Sequence, residues 1–115
     1  MPLLIEKNAY APAARADGLR LLVTRFKPRG IGKADYHLWL RDLAPSAALV
    51  KGFHAGTVDW RAFAKRYRGE VQRHKSLLRT LRLMSDEGRP LTLLCACERP
   101  DRCHRSLLRD AIAKA

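Results

Sequence analysis

The sequence predicts an α/β protein: a single compact domain over residues 1–115, with a small, mainly parallel sheet covered by helices. Three observations carry this expectation. Leu19–Arg25 and Leu91–Cys95 are runs of strand length, and the first is apolar enough to be covered on both faces, as strands of parallel sheets are. Several helical patterns lie between them and provide the crossover that parallel neighbours require. A chain of 115 residues suffices for one hydrophobic core and is too short for two.

In chain order, Leu3–Ile5 begins a short strand, and a loop follows through Tyr10-Ala11-Pro12 and Asp17-Gly18. In the Leu19–Arg25 strand, Leu19, Leu21 and Val23 share one face while Leu22 makes the other face apolar as well. Phe26–Lys33 reads as a loop, because Pro28 blocks regular pairing and Gly30 and Gly32 permit unusual φ. Ala34–Leu43 is expected to be helical, with Tyr36, Trp39, Leu40 and Leu43 forming one stripe and Pro45 ending the segment. Ser46 is placed to cap a second helix through Leu49, Val50 and Phe53, and His54 and Gly56 mark its turn. Asp59 caps the next helix, whose stripe is Trp60, Phe63, Ala64, Tyr67 and Val71 and whose other face carries Arg61, Lys65, Arg66, Arg68 and Arg73. Ser76 is expected to cap a further helix through Leu77, Leu78, Leu81 and Met84, closed by Gly88 and Pro90. The Leu91 strand then enters a loop with Pro100, Asp101 and Arg102, and a last helix places Leu107, Leu108 and Ile112 on one side.

The formal net charge is +12, from 23 Lys and Arg against 11 Asp and Glu. That balance favours anionic partners, either a small anionic molecule or nucleic acid. The basic residues are scattered from Lys7 to Lys114, so there is no polybasic arm. No apolar stretch approaches the length of a membrane span, and Met1–Glu6 lacks the basic leader of a signal peptide; a cytoplasmic location is expected. In that reducing compartment Cys95, Cys97 and Cys103 are expected as free thiols, metal ligands or a redox group, not as a structural disulfide.

Tyr10, Pro12, Asp17-Gly18, Arg20, Leu22-Val23, Arg25, Pro28-Arg29-Gly30, Lys33, Trp39-Leu40, Leu43-Ala44-Pro45-Ser46, Phe53-His54, Trp60, Phe63, Tyr67, Glu70 and Thr92-Leu93-Leu94 together resemble the DUF488 family, in its short, YeaO-like group. The resemblance covers nearly the whole chain. It implies a bacterial, cytosolic protein and brings no assigned reaction with it. Thr24 and Lys27 stand where the short group usually shows Asp and Trp, and the end of the chain, with Cys97-Glu98 and Cys103-His104-Arg105, is similar to the longer DUF488 branch.

The chemistry is expected where the last strand enters the last helix. Unpaired backbone N–H groups and the helix dipole favour anions there, and Arg102 and Arg105 can grip phosphate or carboxylate. Arg25, Arg29 and Gly30 are expected to complete an anion cradle from the neighbouring strand end. A catalytic version makes Cys97 or Cys103 the thiolate nucleophile, with His104 as acid or base. No cofactor is expected. Cys95, Cys97, Cys103 and His104 have the types zinc takes, but their spacing is unlike paired knuckles, and adjacent Cys103 and His104 at a helix start are expected to point apart. Glu98 is read as a salt-bridge partner of Arg102 or a cap. The alternative is a non-catalytic nucleic-acid or protein interaction module built on the Arg face of the Trp60 helix, although the aromatics fall on core stripes and do not interleave with the basic residues.

Overall fold

A computed structural model describes residues 4–97 and 102–115; Met1–Leu3 and the Glu98–Asp101 stretch lie outside the described residues, and with Glu98 so does the expected pairing of Glu98 with Arg102. The elements are β1 (Leu4–Asn8), β2 (Leu19–Leu22), β3 (Leu38–Trp39), α1 (Ala47–His54), α2 (Trp60–Val71), α3 (Lys75–Asp86), β4 (Leu91–Cys95) and α4 (His104–Ala113). They form the expected α/β fold. The four strands make one parallel sheet in the order β1-β4-β2-β3. β4 therefore sits between two neighbours, in register Leu4↔Leu91 on one side and Leu19↔Leu91 on the other. All five of its residues are buried, which its unbroken apolar text requires.

Side-chain alternation divides the sheet into two unlike faces. On one, Leu4, Leu21, Leu91 and Leu93 pack with Leu49, Phe63, Tyr67, Leu78, Leu108 and Ile112 of the helices in the main core. On the other, Leu22 and Leu94 are covered by Ala9 and Ile31, with Tyr36 and Trp39 against them, so connecting segments roof this face.

The helix starts follow the local chemistry in part. Ser46 Oγ accepts from Leu49 N at 3.3 Å and Asp59 Oδ1 from Ala62 N at 2.8 Å, satisfying N–H groups that have no partner within their helices. Ser76 caps nothing: α2 runs through a short 3-10 turn, Gln72–His74, into α3 at Lys75. Gly88, at φ 87°, closes α3 as expected.

The Ala34–Leu43 expectation is corrected. Leu38–Trp39 is an edge strand paired with Leu21–Leu22, followed by a 3-10 turn at Arg41–Leu43. The helical stripe was coincidental, because the groups that would close a helix bond elsewhere. His37 N and Leu40 N donate to Arg20 and Leu22 carbonyls at 2.8 Å each, and Trp39 Nε1 donates to Thr24 O at 2.7 Å. A ladder to β2 outweighs the local pattern.

Candidate metal centre and adjoining pocket

β4 ends at Cys95, and Cys97 follows two residues later, before the chain enters α4 at His104. Cys103 is the residue preceding α4 and is still extended, at φ −125° and ψ 136°, whereas His104 is already helical. This change of backbone state brings two adjacent side chains to one place. The Sγ atoms of Cys95, Cys97 and Cys103 and a ring nitrogen of His104 all lie within 4.8 Å of one another, correcting the expectation that Cys103 and His104 diverge. Cys95 Sγ is 3.0 Å from Cys97 Sγ and 3.7 Å from His104 Nδ1, and all three cysteines are free thiols.

The imidazole is fixed from behind. His104 Nε2 lies 2.6 Å from Val23 O, which can only accept, so Nε2 carries a proton and donates it there, while Nδ1 faces the Cys95 thiol. Tyr67 meets this ring edge-on, and its buried hydroxyl donates to Leu43 O at 2.5 Å. Burial pushes that phenol well above its ordinary pKa and keeps it a donor. The thiols are not equivalent. Hydrogen bonds from Cys103 and Cys95, with Arg105 nearby, hold the Cys97 thiol well below its ordinary value, while contacts with Cys103 and Cys97 together with burial push Cys95 up. Arg105 is itself buried and donates to Lys7 O at 2.8 Å and Cys95 O at 3.3 Å. It therefore ties α4 to β1 and β4 and contributes a positive charge close to the sulfur atoms.

Cys95, Cys97 and His104 also line a pocket of about 270 Å³. Phe26, Pro28, Pro45, Val50, Phe53 and Phe63 make its apolar walls, with the Phe53 and Phe63 rings 5.0 Å apart. Arg25, Lys27, His54 and Arg102 supply its basic groups, and no carboxylate lines it among the described residues. Cys97 is half-buried, whereas Cys95, Cys103 and His104 are buried.

The expected cradle residues separate into groups. Arg102 and Arg25 line the pocket, but the Arg25 guanidinium donates to Pro45 O at 2.9 Å and Ala44 O at 3.3 Å, pinning the Leu-Ala-Pro-Ser segment to the end of β2. Arg29 and Gly30 are exposed in a turn outside the pocket lining, where Arg29 O accepts from Tyr10 Oη at 2.6 Å. Arg105 is buried under β1, 3.6 Å from Glu6. Cys97, Cys103 and His104, the expected catalytic residues, lie together, whereas Phe26 and Phe63, expected only as loop and core residues, line the pocket. Thr24 was visible only as a departure from the family pattern. The Arg face of α2 is exposed as expected, while Phe63 and Tyr67 are buried and offer no stacking surface beside it. No described helix is long and apolar enough to cross a membrane.

A family model described as the active DUF488-N3 subclade matches residues 5–115. Uncharacterized protein YeaO of Escherichia coli (strain K12) is 37% identical over 106 residues, covering 90% of this chain and 91% of that protein. Uncharacterized protein Rv3073c of Mycobacterium tuberculosis (strain ATCC 25618 / H37Rv) is 40% identical over 57 residues, 48% of each chain. No solved structure matches.

Proposed function

The chain belongs to the DUF488 family, and from that premise we propose that its function resides in a zinc–thiolate centre set in the floor of an anion-binding pocket. The observation that carries this reading is the convergence of Cys95, Cys97, Cys103 and His104 within 4.8 Å. A tetrahedral ion with ligands about 2.3 Å away separates them by roughly 3.5–3.8 Å; Cys95 Sγ and His104 Nδ1 stand 3.7 Å apart, and Cys95 Sγ and Cys97 Sγ, at 3.0 Å, would have to part slightly to receive it. The hydrogen bond from His104 Nε2 to Val23 O is the kind of outer contact that orients metal-ligating histidines. Three thiolates around a divalent ion carry one net negative charge, and the buried Arg105 guanidinium lies beside them to balance it. Bound zinc would keep the thiols ionised at neutral pH.

The pocket gives the centre something to act on. Its basic groups, led by Arg102, favour an anionic ligand, and Cys97 is the thiol that such a ligand meets. The zinc reading is tested by the metal content of protein purified without chelators and by its spectrum after cobalt substitution. One ion per chain and a tetrahedral thiolate–cobalt spectrum are expected, both lost in Cys95→Ser and His104→Ala and kept in Arg102→Gln. A folded wild-type chain that takes up no zinc on reconstitution sinks it. The half-buried position of Cys97 favours one second reading, a metal-free thiol nucleophile assisted by Cys103 and His104. Metal-free protein in which Cys97 alone alkylates rapidly supports that reading instead.

A further inference from the structure

We infer that Cys97 is a site of oxidation by hydrogen peroxide, and that the oxidised sulfur is captured by Cys95 in a Cys95–Cys97 disulfide that dismantles the centre. The inference names a regulation of the proposed zinc site and rests on that reading for its effect on the ion; the thiol chemistry does not depend on the ion. Access singles out Cys97. It is half-buried and lines the pocket, whereas Cys95, on the same wall, is 3% exposed and Cys103, outside the lining, is 1% exposed, so a small oxidant entering the pocket meets Cys97 first. Proximity singles out its partner. Cys95 Sγ already stands 3.0 Å from Cys97 Sγ, and a disulfide bond measures about 2.0 Å, so the two sulfurs need to approach by only about 1 Å.

The reaction runs in two displacements. The Cys97 sulfur attacks one peroxide oxygen, the O–O bond breaks, hydroxide leaves and Cys97 becomes a sulfenic acid. The Cys95 sulfur then attacks the Cys97 sulfur: the S–S bond forms, the S–O bond breaks and a second hydroxide leaves. The two thiol protons turn both hydroxides into water, and the sulfur pair loses the two electrons that the peroxide gains. A bridge between residues only two apart closes so short a loop that it restrains the unfolded chain little, so it is not a staple for the fold. Its effect falls on the donors instead. Zinc is held by thiolates, and the bridge leaves only Cys103 and His104 of the four ligating groups. The ion is then released.

The test is a titration of zinc-loaded and metal-free protein with hydrogen peroxide, read by tryptic mass mapping and by a chromogenic chelator that records free zinc. The sequence makes the map selective: Arg99 precedes Pro100, which blocks cleavage there, so Cys95 and Cys97 share a peptide, while cleavage after Arg102 puts Cys103 on another. Expected are loss of two hydrogens from the Cys95 and Cys97 peptide, release of zinc in step with it, and recovery of both thiols and of zinc uptake after dithiothreitol. In metal-free protein Cys103→Ser is expected to keep the bridge, whereas Cys95→Ser loses it and leaves Cys97 as a sulfenic acid that dimedone traps. A cross-link to the Cys103 peptide, oxidation of Cys103 ahead of Cys97, Cys97 left reduced, or sulfinic acid at Cys97 with no bridge overturns the inference. So does a bridge that forms while zinc stays bound. A chain that takes up no zinc yet forms the bridge sinks the zinc centre and leaves the oxidation site standing.

Discussion

Asp17 and Thr24 stand just before and just after β2, and both are buried. Asp17 is fully engaged: its carboxylate meets Lys7 Nζ at 2.7 Å, Arg20 Nη1 at 2.6 Å and Ala14 N at 3.0 Å, and its carbonyl accepts from Thr92 Oγ1 at 2.8 Å. Thr24 at the other end lines the pocket, and its buried hydroxyl has no hydrogen-bond partner among the described residues. The difference separates two uses of buried polarity. A closed network, in which each group answers another, holds the sheet and its roof together. An open one, where a buried hydroxyl has no partner among the described residues and four metal-ligating groups crowd together, leaves the local polarity unanswered.

The sharpest way to break this contrast is Asp17→Ala, which leaves the Arg20 guanidinium buried without its partner. A loss of about 3–5 kcal/mol is expected in urea unfolding; a loss below about 1 kcal/mol would mean that the Asp17 network is not structural. Acid titration is a milder form of the same experiment. Lys7, the Ala14 N–H and Arg20 hold the Asp17 carboxyl at about 2, below its ordinary 3.8. The folded chain therefore gives up this proton more readily than the unfolded chain, so the stabilisation is complete above about pH 4 and is lost as the pH falls towards about 2. Urea midpoints across that range should fall in the wild type and fall less in Asp17→Ala. The smallest effect is expected from Thr24→Val, with the opposite tendency. Removing a buried hydroxyl that has no partner among the described residues should leave the free protein unchanged or more stable by up to about 1 kcal/mol. A clear destabilisation would show that the hydroxyl is already satisfied.

Much of the fold was legible because local chemistry and packing agree. Leu21 and Leu22 point to opposite faces and both are fully buried, as the unbroken apolar text implies, and Ser46 and Asp59 cap where side-chain oxygens allow. Tyr36 and Trp39 misled because their spacing fits a helix, while the segment's backbone bonds run to β2, which is distant in sequence. Ser76 misled because α2 hands over to α3 through a turn without needing a new cap. At the site, the residue types were readable and their meeting was not. Cys103 and His104 converge only because one is extended and the other helical, and the partner that orients the ring, Val23 O, lies at the end of another strand. Arg29 had the right charge, but its loop is tied outward by Tyr10.

The position of β4 bears on the order of assembly. It comes latest of the four strands in the sequence yet lies between β1 and β2, so neither of those strands has its main hydrogen-bonding neighbour until Leu91–Cys95 enters. Closing so long a loop is entropically costly and slow compared with forming the local helices. The three thiols stand at or just beyond the trailing end of that strand, and the carbonyl that orients His104 follows β2. The cluster therefore comes together in the same late event that completes the sheet, and an ion captured there would act as a latch on the finished topology.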